Sequence, residues 1–137
     1  MSRLSPDARD SKKDTSENMD ENHNSPAWRI IDLTDAVFAK AIMSNEKIVV
    51  EFWKELCVPC AVMKTIFENV SEQYRGSVKS ARARVDSAQA VLKLFNVFNV
   101  FNVPTFLFFY KGKVVDTLIG IVSEENLNNT LKKLSAM

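Results

Sequence analysis

The sequence contains only two cysteines and a single histidine among its 137 residues. Two cysteines three positions apart cannot cross-link a small secreted domain, which usually depends on several disulfides. A structural zinc site normally takes four nitrogen or sulfur ligands, so zinc would require two copies of this chain. The histidine, His23, lies in a polar segment, where we expect it to be solvated rather than a metal ligand or a catalytic base.

The chain also lacks an excess of charge of either sign. Its 18 basic and 17 acidic residues give a formal net charge of +1, which provides no electrostatic basis for binding nucleic acid or an acidic membrane surface. Asparagine or charged residues interrupt the apolar stretches well short of the roughly 20 residues that cross a bilayer, so no membrane span is predicted. The N-terminus has no apolar signal core and is rich in acids. We therefore expect a cytoplasmic protein.

The length of the chain predicts one folded domain with a tail. Residues 1–27 are mostly serine, asparagine and charged side chains. Such a composition buries too little apolar surface to offset the entropy of ordering the backbone. We expect residues 1–27 to be a disordered tail and residues 28–137 to form the domain.

The two cysteines directly follow an apolar stretch. Residues 48–60 read I-V-V-E-F-W-K-E-L-C-V-P-C, and β-branched and aromatic side chains of this kind are typical of a buried strand. Beyond Cys60, apolar residues recur at the three- and four-residue spacing of an amphipathic helix. Pro59 suits the first turn of that helix because no N–H partner is needed there. The cysteines are thus predicted to lie at a strand-to-helix junction.

A thiol at the start of a helix is expected to be reactive. Unpaired backbone N–H groups and a partial positive charge stabilise a thiolate there, so the pKa of Cys57 should fall below the free value of roughly 8.5. Cys57, nearer the solvent, is the predicted nucleophile, and Cys60 is the predicted resolving thiol in exchange with a substrate disulfide. The alternative is a pair of unreactive core cysteines.

Two segments resemble motifs of the thioredoxin family. The stretch V-V-E-F-W-K-E-L-C-V-P-C is similar to the family's strand, tryptophan and W-C-G-P-C motif, and V-P-T at residues 103–105 is similar to its cis-proline segment. The resemblance extends from about Trp28 to the end of the chain. It implies an α/β thioredoxin fold, with a central mixed β-sheet of about five strands flanked by about four helices.

Hydrophobic periodicity independently predicts the element order β-α-β-α-β-α-β-β-α, a mixed sheet with helices on both faces. The predicted strands cover residues 28–32, 47–53, 79–85, 106–110 and 114–119, the last two joined as a hairpin at Lys111-Gly112. The four predicted helices begin after Thr34, at Pro59, after Asp86 and after Ser123, where Thr34, Asp86 and Ser123 are the expected N-caps.

The resemblance also implies roles for residues in the strand before the cysteines. Glu51 matches the family's buried acid, usually an aspartate, which moves protons to and from the resolving cysteine, and burial would raise its pKa toward neutrality. The alternative is a carboxylate held in an ion pair with Arg82 or another base. Trp53 matches the tryptophan that packs under the family's active site, and it is also a plain core candidate.

Around the second motif, the resemblance implies a cis peptide bond before Pro104, with the Val103 backbone paired to an extended substrate. Gly112 and Gly120 match family glycines, and the second borders the substrate groove.

Three residues depart from the family pattern near the cysteines. Leu56 replaces the tryptophan before the first cysteine, Val58 replaces a glycine between the two, and Thr65 replaces a proline that kinks the helix. Leu56 keeps the docking surface apolar. Because the residues between the cysteines tune thiolate stability, the reducing character of the family cannot be carried over to this chain without a measurement.

Residues 95–103 read F-N-V-F-N-V-F-N-V, a triplet repeat that leads directly into Pro104. Its period of three fits neither a strand nor an α-helix, and the segment is three residues longer than in the family. We expect a loop that is either a tolerated duplication or an extension of the apolar docking surface.

The predicted function is protein-disulfide reduction by the Cys57–Cys60 pair without a bound cofactor. Electrons would arrive from a thioredoxin reductase-type donor, a flavin enzyme using NADPH in most relatives, and pass to disulfide-containing substrate proteins. A monomer is expected. Two alternatives are kept: a dithiol oxidase or isomerase of the same fold, and a redox-silent docking module that would act through the Phe-rich loop and the tail.

Overall fold

The structure is a computed structural model that describes residues 29–86, Phe98, Val100 and residues 102–137. The predicted tail with His23, the residue Trp28, the predicted helix after Asp86 and most of the triplet repeat lie outside the described residues. The strands are β1 (Ile31–Leu33), β2 (Lys47–Trp53), β3 (Lys79–Arg84), β4 (Thr105–Tyr110) and β5 (Lys113–Ile119), and the helices are α1 (Asp35–Ser44), α2 (Val58–Glu72) and α3 (Glu124–Ser135).

The five strands form one mixed sheet in the order β1-β3-β2-β4-β5. Strands β1 and β2 both run parallel to β3, whereas β4 is antiparallel to β2 and to β5. Parallel neighbours require a crossover, which α1 and α2 supply, and the antiparallel pair needs only a hairpin. This confirms the predicted mixed sheet of five strands, and three helices lie within the described part of the chain.

Each face of the sheet carries its own apolar cluster, because side chains alternate along every strand. On one face α1 packs against the sheet through Phe38 and Ile42, with Phe52 and Phe109 beneath them. On the other face α2 and α3 cover β2 and β4, and the buried side chains there are Val49, Met63, Phe67, Val70, Val78, Phe106, Phe108, Leu127, Leu131 and Leu134. Strand β2 is therefore buried from both sides.

The element boundaries differ from the predicted ones in small ways. The predicted strand at residues 28–32 is observed as β1 at 31–33, and α2 begins one residue before Pro59. The prediction that Thr34 caps α1 is wrong for its side chain, which makes no capping hydrogen bond. Its backbone carbonyl accepts from Val37 N instead, at 3.2 Å. The hydroxyl of Ser123 caps α3 as predicted, accepting from Asn126 N at 3.0 Å.

The hairpin between β4 and β5 turns at Lys111 and Gly112, as predicted. Both residues have positive φ, at 51° and 85°, which is the combination of a two-residue type I′ turn. A Cβ on Gly112 would lie 3.1 Å from the Met43 sulfur, so a side chain is disfavoured by space as well as by backbone conformation.

Within the described residues, no helix is long and apolar enough to cross a bilayer.

The C-terminal end of α3 is held to the start of β2 and to the turn after α2. Lys47 Nζ donates to the carbonyl oxygen of Ser135 at 2.7 Å, which places a cation on the negative end of the helix dipole. The hydroxyls of Ser77 and Ser135 share a hydrogen bond. Two residues after the end of α2, Tyr74 Oη donates to Asn128 Oδ1 at 2.7 Å. These contacts fix the helix that covers one face of β2.

Substituting Lys47→Met should lower the free energy of unfolding by about 1 kcal/mol, because a charge-assisted hydrogen bond to a helix C-terminus is lost while the aliphatic stem is kept. The measurement is equilibrium urea unfolding. Lys133→Met is the matched control, since Lys133 forms a more exposed ion pair with Asp116 at 3.6 Å and should matter clearly less. Equal losses in both variants would contradict the assignment.

Candidate active site

Cys57 and Cys60 lie at the junction of β2 and α2. Cys57 is the N-cap of α2, and its Sγ accepts a hydrogen bond from Cys60 N at 3.2 Å. The two residues form a disulfide, with Cα atoms 5.2 Å apart. Cys60 is 2% exposed, whereas Cys57 is only partly buried. Cys57 is therefore the sulfur that a second molecule can approach.

Pro59 occupies the first turn of α2, where the missing N–H costs no helical hydrogen bond. The two other residues beside the cysteines project into solvent: the exposed fractions are 100% for the Leu56 side chain and 74% for Val58. Thus apolar side chains flank Cys57 on both sides without being packed. An apolar patch next to a reactive sulfur is suited to contact with another protein.

Leu56 has a φ of +56°, in the left-handed region. For a residue with a Cβ this conformation costs roughly 1–2 kcal/mol relative to the right-handed one. The sequence gives no signal for it, since glycine, asparagine and aspartate are the residues that usually mark such a position. The left-handed turn lets the chain leave β2 and enter α2 with Cys57 at the helix start.

Glu51 lies in the middle of β2 and is fully buried. Its neighbours in register are Arg82 on β3 and Phe106 on β4. Its Oε1 accepts a hydrogen bond from Arg82 Nε at 2.9 Å, so the ion pair weighed as an alternative from the sequence is present. Its Oε2 accepts no hydrogen bond from the described residues. The two carboxylate oxygens therefore differ, since one binds a cation and the other has no hydrogen-bond partner among the described residues.

Burial raises the pKa of Glu51 above its ordinary value of 4.5, because the charged form loses hydration. The positive charge of Arg82 and its hydrogen bond act in the opposite direction and offset only part of this effect. The ion pair and an elevated pKa therefore coexist. A carboxyl with a pKa shifted toward neutrality can accept and return a proton more readily than an ordinary glutamate.

Trp53, at the end of β2, lies against two guanidinium groups. The Cζ atom of Arg82 is 4.2 Å from the centre of the indole ring, and that of Arg84 is 5.7 Å away. Such cation–π contacts favour a fixed ring orientation. In addition, the Trp53 carbonyl accepts from Val85 N at 2.8 Å. Trp53 therefore joins the buried Glu51–Arg82 pair to the loop that carries the cysteines.

The Val103–Pro104 peptide bond is cis, as the resemblance implies. Thr105 Oγ1 donates to the Asn102 carbonyl at 2.6 Å, and Gly120 N donates to the Pro104 carbonyl at 2.8 Å. These two hydrogen bonds hold the loop from both sides. Sequence reasoning did not identify the Thr105 contact, although a hydroxyl directly after the X-Pro pair was visible as a possible loop donor.

Register places this loop at the same end of the sheet as the cysteines. Phe52, near the C-terminal end of β2, pairs with Thr105 at the start of β4, and Thr105 pairs with Ile119 at the end of β5. The chain leaves the sheet at this end toward Cys57, Pro104 and Gly120. Residues distant in sequence are thereby gathered on one edge.

Over the described ranges, no group of three or more His, Cys, Asp or Glu side chains is placed to hold a metal ion.

Comparison with known proteins gives a consistent result. The family model named Thioredoxin matches residues 29–133. Over 102 residues the chain is 29% identical to the thioredoxin of Porphyra purpurea and 30% identical to thioredoxin 1 of Synechococcus elongatus, in each case across 74% of this chain and 92% of the relative. The crystal structure of Malassezia sympodialis thioredoxin superposes with a TM-score of 0.71 at 22% identity, covering 84% of this chain and 98% of that one.

The elevated pKa of Glu51 predicts a pH dependence of stability. The folded protein retains a proton above pH 4.5 that the unfolded chain releases. This contribution is fully present below that pH and is lost as the pH rises through the raised pKa. The free energy of unfolding of the wild type minus that of Glu51→Gln should therefore fall as the pH increases from 4.5, measured by urea unfolding of the oxidised proteins.

The control for this measurement is Glu72→Gln, at an exposed position on the same helix as Cys60. It should not reproduce the trend. A difference between wild type and Glu51→Gln that increases with pH would mean that the attraction of Arg82 outweighs burial, and the assigned direction of the pKa shift would then be wrong.

Proposed function

Since this chain belongs to the thioredoxin family and is a thiol–disulfide oxidoreductase that reduces protein disulfides, we propose that Cys57 is its attacking sulfur and Cys60 its resolving sulfur. The observation that carries this assignment is the position of the disulfide. It spans the first turn of α2, with Cys57 reachable from solvent and Cys60 buried. Only the outer sulfur is accessible to a disulfide in another protein.

In the first step, the Cys57 thiolate attacks one sulfur of the substrate disulfide. A Cys57–substrate disulfide forms, the substrate S–S bond breaks, and the second substrate sulfur leaves as a thiolate that takes a proton. The N–H of Cys60, 3.2 Å from the Cys57 sulfur, and the positive end of the helix dipole stabilise the attacking thiolate.

In the second step, Cys60 attacks Cys57 within the mixed disulfide. The Cys57–Cys60 disulfide forms, the substrate's remaining sulfur is released as a thiol, and two electrons have passed to the substrate. Cys60 must lose its proton for this attack. We assign Glu51 as the acceptor, because it is buried, its pKa is raised, and its Oε2 is not engaged by Arg82.

The substrate is proposed to dock along the Val103–Pro104 loop. An extended segment would pair with the Val103 backbone, with Gly120 beside the loop through its bond to the Pro104 carbonyl. The exposed Leu56 and Val58 side chains would add apolar contact next to Cys57. Pro59 would fix the first turn of α2, and Trp53 would pack beneath the active site.

The cycle closes when a thioredoxin reductase-type donor returns two electrons to the Cys57–Cys60 disulfide. No cofactor bound to this chain is needed for that exchange, because thiol–disulfide exchange itself transfers the two electrons between pairs of sulfur atoms. We propose that the protein works as a monomeric electron carrier for cell redox homeostasis in the cytoplasm, where glutathione and reductases keep thiols reduced.

Single serine substitutions test the roles of the two sulfurs. Cys60→Ser should accumulate a stable mixed disulfide with a disulfide-bonded peptide, because the resolving thiol is missing, whereas Cys57→Ser should form none. Turnover should fall by at least about 1,000-fold in both, since neither can complete the exchange. Mass spectrometry of the trapped adduct provides the measurement. An adduct on Cys60 in the Cys57→Ser protein would reverse the roles.

The reduction potential distinguishes this function from a dithiol oxidase or isomerase. We expect a potential below the cytosolic glutathione poise of about −220 to −260 mV, measured by equilibrating the protein with a dithiothreitol series and following Trp53 fluorescence and thiol alkylation. Val58→Gly serves as the comparison, because it changes the one exposed residue between the sulfurs that departs from the family.

A potential close to or above the glutathione poise would move the oxidase or isomerase function to first place. The absence of any reversible disulfide would instead leave a docking module, whose binding partners should be unaffected when both cysteines are replaced by serine.

A further inference from the structure

The loop that joins β2 to Cys57 is held by residues at the end of β3. Glu55 N donates to Asp86 Oδ2 at 3.3 Å, and the Glu55 carboxylate is 3.3 Å from Arg84 Nη1. At the base of the loop, the Trp53 carbonyl accepts from Val85 N at 2.8 Å. Arg84 at the end of β3 and the next two residues, Val85 and Asp86, thus contact Trp53 at the end of β2 and Glu55 in the loop.

Asp86 is itself fixed by two different donors. Its Oδ1 accepts from Arg84 Nε at 2.7 Å, while Oδ2 accepts from Glu55 N. The carboxylate cannot rotate without breaking one of these bonds. The hydrogen bond from Arg84 also lowers the pKa of Asp86, which keeps it ionised and a strong acceptor near neutral pH. Arg84 is in turn placed over the Trp53 ring.

The side chain at the turn does not hold the loop in place. Leu56 has a left-handed backbone, and its side chain is 100% exposed, so packing of that side chain contributes nothing to the turn. The turn nevertheless sets where Cys57 enters α2. The Glu55 N–H is the last backbone donor before Leu56, and Asp86 accepts its hydrogen bond.

We propose that Asp86, oriented by Arg84, is a positioning residue for Cys57: by fixing Glu55 it imposes the turn at Leu56 that places the Cys57 sulfur against the first N–H groups of α2. The proposal rests on the proposed function of Cys57 as the attacking sulfur. Asp86 touches neither sulfur nor substrate in this scheme and acts through the backbone alone.

The test is the pH dependence of Cys57 alkylation by iodoacetamide in the reduced protein, a reagent small enough to need no docking surface. In Asp86→Ala, loss of the Glu55 bond should let Cys57 move from the helix N–H groups, so the pKa of the Cys57 thiol should rise and alkylation at pH 7 should slow by about threefold to tenfold. Removing a negative charge without repositioning would lower that pKa instead. The two mechanisms therefore predict opposite signs.

Asp116→Ala is the matched control. The Asp116 carboxylate also binds a cation, Lys133, and a backbone N–H, that of Thr117, but it lies on β5 and holds no part of the cysteine loop. It should leave the alkylation profile unchanged. Asp86→Asn, which keeps an oxygen acceptor for Glu55 N, should restore part of the wild-type rate.

An unchanged or lowered thiol pKa in a folded Asp86→Ala protein would overturn the proposal. A failure of the underlying function would be recognised separately, in proteins that keep Asp86. In that case iodoacetamide would label Cys60 before Cys57 in the wild type, or the separate variant Cys57→Ser would retain turnover. Circular dichroism establishes that each variant is folded before its profile is compared.

Discussion

The pairing of β2 with β3 on one side and with β4 on the other determines where each candidate active-site residue lies. Because Glu51 stands opposite Arg82 in that register, a carboxylate and a guanidinium meet in the interior. A shift of one residue would exchange the faces of the sheet on which the Glu51 and Val50 side chains lie. The same register brings the ends of β2, β4 and β5 together, so the cysteines and the Pro104 loop share one edge.

The Glu51–Arg82 pair is retained at an energetic cost. Removing two charges from water usually costs as much as their attraction returns, and an apolar pair of similar volume would often be at least as stable. An ion pair between a fully buried Glu51 and a largely buried Arg82 is therefore weak evidence for stability. Arg82 also contacts Trp53, so the pair reaches from the middle of the sheet toward the cysteine loop.

Much of the fold could be predicted from the sequence because its signals are local. The β-branched run of β2, the hairpin at Lys111-Gly112 and the cap at Ser123 each follow from a few neighbouring residues, and each is observed. The thioredoxin resemblance supplied what local pattern cannot, namely the cis bond before Pro104.

Long-range side-chain geometry could not be predicted in the same way. Whether Glu51 would meet Arg82 depended on strand register, and both possibilities stayed open until the strands were placed. The hydrogen bond from Glu55 to Asp86 joins residues 31 positions apart. From the sequence, Asp86 was predicted only as the N-cap of a helix. The left-handed Leu56 was not visible either, since leucine rarely takes that conformation.

The exposed side chains of Leu56 and Val58 lie beside the Cys57 sulfur but take no part in the packing of the domain. Neither side chain belongs to the apolar clusters on the two faces of the sheet, so changing them removes no buried contact. Substitutions at these two positions therefore change the surface beside the Cys57 sulfur without opening a cavity in either apolar cluster. A glycine at position 56 would relieve the cost of the left-handed backbone there, where φ is +56°.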